Sequence, residues 1–348
     1  MLVGHQKQWQ FLKNSYQVGK LSHAYLFSGP KAIGKKSLAI EFVKFLNCQA
    51  GESSLKPCQN CRACQDIEKG VFPDFVLIEP EVSASTKIST VKEEIKIAQI
   101  REMEKYLSLY PYLSSFKIAV IDKAHSLTQE AQNSFLKTLE EPKGNTLFIL
   151  ITEYPEMLLE TILSRVQKIN FYPVKKKEIE NYLKSKNISD ERAKEIAEIS
   201  LGKIGEAIDF IKNPQKLEEF KNTIKEINKL TKSNLSSRFQ YARNLTERKK
   251  DLKETLDIWL RYFREILIQK LQNTNQGTKT LCSAEPINMS SGYKLQTNYN
   301  PSAGGQITND YSLIQLRKIL ETIQNTDFLL STTNVNPKLA LEVLMLEL

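Results

Sequence analysis

A short apolar run, Ala24–Ser28 (AYLFS), leads directly into Gly29-Pro-Lys-Ala-Ile-Gly34-Lys35-Lys36-Ser37, and Leu38, Phe42 and Phe45 follow at helical spacing. A buried strand, a glycine-bearing turn and a helix in that order nearly fit G-x-x-x-x-G-K-[ST], the phosphate-binding loop. Glycines let the backbone wrap an anion, amides at the helix N-terminus donate to it, and Lys35 adds a point charge. One position departs from the pattern. Where a hydroxyl should hold magnesium stands Lys36, whose ammonium repels the metal. Ser37 comes one residue late and, on a helix, points about 100° away. The plainer alternative is a Gly-Pro turn at the start of an ordinary helix.

The rest of the first half repeats the alternation. Phe75–Ile78 (FVLI), Lys117–Asp122 (KIAVID), Leu147–Thr152 (LFILIT) and Val166–Phe171 read as strands. Gln6–Val18, Ile100–Leu109 and Thr128–Glu140 read as helices, the last with Thr128 as N-cap and an end before Pro142. Short apolar strands separated by helices imply a parallel sheet covered on both faces, an α/β fold. Asp122-Lys123-Ala124-His125 follows one of these strands. An ATPase carries Asp there for the water shell of its metal, then Glu to polarise the attacking water. Here Lys123 replaces that base, a loss that costs ~10²–10⁴ in rate. Taken alone, Asp122 serves equally well as a cap on the following turn. Arg165, in Leu163-Ser164-Arg165-Val166, taken alone reads as a surface charge.

Four of the five cysteines form Cys48-x9-Cys58-x2-Cys61-x2-Cys64. Two C-x-x-C steps plus a fourth Cys suit tetrahedral thiolate ligation of a structural zinc. An iron–sulfur cluster is the second option for a soft four-sulfur set. Buried free thiols are the third, and the polar surroundings (ESSLKPCQNCRACQD) argue against hiding them. With four protein ligands no position stays open for catalysis. Cys282 stands apart and is unexplained.

After Pro173 the character changes. Helical patterns around 176–185, 190–200 and 205–212, punctuated by Gly202 and Gly205, define a small helical domain over 173–214. From Gln215 onward only helical periodicity remains. Leu256, Trp259, Leu260, Phe263 and Leu267 form one stripe, and Leu313, Leu316, Leu320 and Ile323 another. Asn336-Pro337 opens a final helix, with Asn as cap and Pro in the first turn. Between the stripes, Asn273–Asp310 is rich in Asn, Thr, Ser, Gln and Gly and reads as an insertion.

The 348 residues, 41% hydrophobic and 26% charged, suffice for packed cores in two or three domains. No stretch approaches the ~20 apolar residues of a membrane helix, and the N-terminus turns polar too early for a secretory signal. A soluble, cytoplasmic protein with no membrane partner is the expectation. Lys and Arg outnumber Asp and Glu by 49 to 40, which favours an anionic partner, but the charge is scattered and forms no basic stripe. Three histidines leave little room for histidine-based catalysis.

HAYLFSGPKAIGKKSLA, the four-Cys insertion behind it, KIAVIDKAHSLTQEAQNSFLKTLEEP, TLFILIT and ILSRV occur here in sequence order. In that order they resemble the bacterial clamp-loader AAA+ subunits of DNA polymerase III. The resemblance is strong over roughly residues 1–210 and extends to the C-terminal NPKLALEVLMLEL, similar to the last collar helix of the family. It implies a RecA-like AAA+ domain over 1–172 with a zinc module at about 48–69, a helical lid over 173–214, and an all-α collar over 215–348 carrying the 273–310 insertion. Implied partners are gamma/tau and delta subunits, the sliding clamp and, through the complex, primed DNA. Structural zinc on Cys48, Cys58, Cys61 and Cys64 is the implied metal. A degenerate nucleotide site would comprise Gly29, Gly34, Lys35, Lys36, Ser37, Asp122 and Thr152, with ATP or ADP allowed but not required.

Lys36 stands where the family has Thr, Lys123 where it has Glu. Gly205, within LGKIGEA, stands where the hydrolysing subunit carries its sensor-2 Arg. These departures favour the non-hydrolysing delta-prime type over the ATP-hydrolysing gamma/tau type, which is the alternative. The chain then has no ATPase of its own while belonging to a DNA-polymerising holoenzyme. Ser164-Arg165 matches the family's Ser-Arg-Cys motif with Val166 in place of Cys. In the family that Arg reaches the neighbouring subunit's ATP, so the resemblance gives Arg165 a catalytic role in trans.

Overall fold

Four apolar runs and one polar edge strand form one parallel sheet; the four runs are short, bounded by turn residues and apolar on both faces, while the edge strand buries a single residue. The computed structural model describes residues 3–50, 56–83, 92–113, 116–142, 144–247, 252–275, 311–333 and 335–348. The sheet strands are β1 (Ala24–Ser28), β2 (Phe75–Ile78), β5 (Lys117–Ile121), β6 (Thr146–Thr152) and β7 (Gln167–Asn170), in the order β2-β5-β6-β1-β7. Tyr25, Phe27, Val120 and Ile149 face one core. Ala24, Leu26, Ala119 and Phe148 face the other. The two-residue period of a strand produces this split. The first core is covered by α1 (Gln6–Gln17), α2 (Lys35–Asn47) and α3 (Arg62–Glu68). The second is covered by α4 (Ile97–Leu107), α5 (Gln129–Glu140) and the one-turn α6 (Glu160–Leu163). Thr128 does cap α5, its hydroxyl accepting from Ala131 N–H at 3.3 Å.

Three features differ from the sequence reading. A two-stranded antiparallel ribbon, β3 (Glu81–Ser83) with β4 (Lys92–Glu94), leaves the end of β2. It has no apolar run to announce it. α3 lies inside the cysteine segment, where the sequence reading places no helix. α4 starts at Ile97 and ends at Leu107, not over 100–109; Gln99 accepts from Lys96 N–H at 3.0 Å and fixes the earlier start.

Continuing the chain, α7 (Lys176–Ser185), α8 (Asp190–Ile199) and α9 (Ile204–Lys212) follow the sheet. The chain divides into two compact units, Met1–Ile208 and Asp209–Leu348. The second unit holds the end of α9 and all of α10 to α14: α10 (Pro214–Leu230), α11 (Leu235–Glu247), α12 (Leu252–Asn275), α13 (Leu313–Thr332) and α14 (Pro337–Glu347). Its core is Ile227, Leu256, Trp259, Phe263, Ile266, Leu316, Ile319, Ile323, Leu341 and Leu344. Both apolar stripes therefore face inward, except that Leu313 is 38% exposed at its helix start. Asn336 caps α14 by accepting from Lys338 N–H at 3.0 Å. α12 is helical through Asn275, and the rest of the insertion expected over about 273–310, Cys282 included, lies outside the described residues. Among the described residues no helix is long and apolar enough to cross a membrane.

Candidate functional site

A parallel sheet gathers loop residues at the carboxyl ends of its strands, and ligands bind where the strand order reverses. β1 lies between β6 and β7, so the Gly29–Ser37 loop emerges at that place. Gly29 N–H donates to Thr152 O at 3.2 Å, and Phe171 N–H to Ser28 O at 2.7 Å. Gly34 precedes α2 at φ 101°, a conformation that a side chain would strain. The structure thus brings Gly29, Gly34, Lys35, Lys36, Asp122 and Thr152 to one end of the sheet. Ser37 sits in the first turn of α2, beyond the loop.

Lys35 is buried, 6% exposed, and its ammonium donates to Gly29 O at 2.5 Å and Pro30 O at 2.6 Å. Burial pulls its pKa down from 10.5 to about 8, while Glu153 and Asp122 partly oppose the shift. The folded chain therefore sheds this proton before the unfolded chain does. Between about pH 8 and 10.5 the unfolded state binds more protons, so this residue's contribution to stability rises with pH in that window and is flat below it. The urea midpoint of the wild type should climb relative to Lys35→Met across that range. The gain should be at most about 3.5 kcal/mol, at ~1.4 kcal/mol per unit. Parallel curves would place Lys35 in water.

Lys36 reaches across the strand ends. Its Nζ lies 2.6 Å from Glu79 Oε1, just past β2, and 3.6 Å from Asp122 Oδ2, just past β5. Lys123, at φ 51°, pairs with Glu93 of β4. Thr152 is buried; its Oγ1 accepts from Tyr154 N–H at 3.1 Å and lies 3.2 Å from His125 Nδ1. Over the loop, Gly205 N–H donates to Ala32 O at 2.7 Å. A Cβ at Gly205 would sit 2.9 Å from that carbonyl, so the arginine expected at a sensor-2 position has no room here. Beside it Lys203 lies 3.4 Å from Glu206, close enough to Lys35 to disfavour its charge.

Arg165 follows α6. Its Nη2 lies 2.8 Å from Glu140 Oε1, and its Nη1 donates to Thr161 O at 2.9 Å and to Ser164 Oγ at 3.2 Å. The side chain is 36% exposed. It is a held guanidinium rather than a free surface charge.

The four sulfur atoms of Cys48, Cys58, Cys61 and Cys64 lie within 4.8 Å of one another. Four ligands at ~2.3 Å from a zinc stand somewhat closer than that, so a small contraction closes a tetrahedron. Cys58 N–H points at Cys48 Sγ (3.4 Å) and Cys61 N–H at Cys58 Sγ (3.3 Å). Backbone N–H groups of Asn60 and Cys61 bring the Cys58 thiol down to about 6, the thiolate a metal needs. Burial pushes Cys64 up. One expectation is corrected: Cys48 and Cys64 are buried despite polar neighbours. The reason is α3, whose Ala63 and Ile67 join the sheet core and carry Cys64 with them. Lys44, buried on α2, ties the module down through Gln59 (3.0 Å) and Glu68.

Glu79, Glu93, Glu140 and Lys203 were not singled out from sequence. Glu79 had a readable signal, an acid directly after a parallel strand. The others are brought in by packing alone.

A family model described as "DNA polymerase III, delta subunit" matches residues 4–175. The chain is 36% identical over 216 residues to DNA polymerase III subunit delta' of Bacillus subtilis, covering 62% of each chain. It is 32% identical to DNA polymerase III subunit gamma of Buchnera aphidicola subsp. Schizaphis graminum, over 62% of this chain and 58% of the relative. Against DNA polymerase III subunit tau of Bacillus subtilis it is 30% identical, over 77% of this chain and 50% of the relative. The chain thus spans between half and 62% of the length of these relatives.

Proposed function

We propose that the chain, whose residues 4–175 match the DNA polymerase III delta-subunit family model and which is similar to delta' and gamma subunits, is a non-hydrolysing, delta-prime-type subunit of a cytoplasmic clamp loader. One observation carries this reading: Lys36, standing where the pattern has its metal-holding hydroxyl, pairs with both Glu79 and Asp122. A divalent cation would have to displace an ammonium to reach Asp122, and the hydroxyl that should help hold it is missing. Lys123, tied to Glu93, cannot take a proton from water as a carboxylate would. Metal placement and base are both lost, while the phosphate loop, Lys35 and an Arg with exposed donors are kept.

In this reading Gly29–Lys35 retains phosphate contacts, with ATP or ADP allowed but not required. Residues 173–214 form the lid, and the helices after 215 form a collar that joins gamma/tau and delta subunits. Arg165 faces the neighbouring subunit's ATP, and the assembly places a sliding clamp on primed DNA. Cys48, Cys58, Cys61 and Cys64 hold a structural zinc that fixes α3 to α2.

The purified chain should show no ATP turnover approaching the ~1 s⁻¹ of working enzymes, and it should co-elute with gamma/tau and delta subunits in size exclusion. Turnover at that level, abolished by Lys35→Ala, would restore the hydrolysing gamma/tau-type reading that the gamma and tau relatives keep in view. A chain that never joins those subunits would reject both.

A further inference from the structure

The cation at the strand ends has a consequence for binding as well as for hydrolysis. In a working phosphate loop the metal is held by the hydroxyl after the loop lysine and by the acid after the neighbouring strand. Magnesium asks for near-ideal octahedral geometry and keeps water, one or two carboxylates and phosphate oxygens around it. Here the residue at the hydroxyl position is ion-paired with the acid itself. Lys36 Nζ lies 2.6 Å from Glu79 Oε1 and 3.6 Å from Asp122 Oδ2, at the carboxyl ends of two adjacent strands. The geometry points to Lys36 as a built-in counter-ion: the loop binds a nucleoside di- or triphosphate with no divalent metal.

This rests on the reading that Gly29–Lys35 still receives phosphate. An ammonium has three N–H donors in a rotatable head. One is given to Glu79, and Asp122 is held at ion-pair distance only, which leaves a donor for a phosphate oxygen. The pairs are partly exposed, with 37% of the Lys36 side chain in water, so their strength is modest and the ammonium can lean toward a phosphate. Lys35 and Lys203 lie near enough to each other to interact, and they add positive charge on the same end of the sheet. The site thus supplies its own cations for an anion of high charge, and Asp122 is neutralised from within the chain.

The test is isothermal titration of the full chain with ADP and with ATP, once in magnesium and once in EDTA, at one fixed salt concentration. The wild type should bind equally in the two media, within about twofold. Lys36→Thr, which restores the hydroxyl and frees Asp122, should gain about tenfold or more in magnesium over EDTA, the scale of one charge-assisted contact. Lys36→Met, which keeps the stem without the charge, should weaken binding in EDTA by about tenfold. Thermal melts of all three establish that they are folded. A wild type that requires magnesium overturns the inference and leaves nucleotide binding standing. Absence of binding in both media also overturns it, yet leaves the role of Arg165 untouched, since that role needs no nucleotide in this chain. Metal-independent binding that persists unchanged in Lys36→Thr overturns it by placing the counter-ion elsewhere.

Discussion

Cys58→Ser, or chelation under reducing conditions, should remove one zinc per chain and open residues 48–69 before anything else. Structural zinc in small Cys-ligated peptides is worth ~10–16 kcal/mol of apparent binding energy at neutral pH, and that binding energy is folding energy. The module would seem separable, since the cysteines follow a complete α2. Its packing argues otherwise. Ala63 and Ile67 of α3 sit in the same core as Phe42, Val43, Phe72 and Phe75, so the module touches both α2 and the edge strand β2. Lys44, 5% exposed, faces Gln59 and Glu68, and would be left a buried charge if the module moved away. Losing a partner of a buried charge is strongly destabilising. Hydrogen exchange should therefore rise first in 56–69, and global stability should then fall by about 2–5 kcal/mol, the range of the large single-site effects. Elemental analysis checks the metal. Iron with visible absorption, or no metal at all in chelator-free reducing buffer, would sink the zinc assignment.

The sheet was legible because its signals are local. Strands such as KIAVI and TLFILI are apolar on both faces, which only a doubly covered parallel sheet explains. The loop after β1 and the Asp after β5 could be placed on strand ends before any contact was known. The four cysteines could be read as one site because their spacing is itself the signature. What failed to show in the sequence depends on neighbours distant along the chain. Lys36 and Glu79 are 43 residues apart and meet only because the sheet gathers the ends of β1, β6, β5 and β2 side by side. The burial of Cys64 follows from Ala63 and Ile67 packing on the sheet, which outweighs the polar composition around them. Gly205 could be read as a missing arginine. That the space is closed by the Ala32 carbonyl is a property of how α9 packs on the loop and not of the residue. Glu140 looked like the last acid of a helix, yet it is the carboxylate that holds Arg165.

Arg165→Ala should leave folding, metal content and assembly intact while lowering clamp-stimulated ATP hydrolysis and clamp loading by the reconstituted complex. The side chain lies at the surface, so its removal leaves no cavity in either core. Its chemistry is another matter. The γ-phosphate of a neighbour's ATP develops charge as it departs, and a guanidinium binds two of its oxygens at once. A trans arginine is worth ~10³–10⁵ in hydrolysis rate in phosphoryl transfer. The whole complex should lose less, because other interfaces keep their own arginines. Glu140, Thr161 and Ser164 hold the guanidinium plane before any partner arrives, so little side-chain freedom remains to be lost on docking. That preorganisation also explains why Arg165→Lys should rescue little. A lysine carries the charge but has no planar fork to fit Glu140 on one side and phosphate on the other. Valine at 166 does not weaken the argument, since the thiol it replaces has no part in binding phosphate. The deciding measurement is steady-state ATPase of the complex with clamp and primed DNA. Wild-type rates for both variants in a fully assembled complex would reduce Arg165 to an ordinary surface ion pair with Glu140, a contact worth ~0–1 kcal/mol and nothing to catalysis.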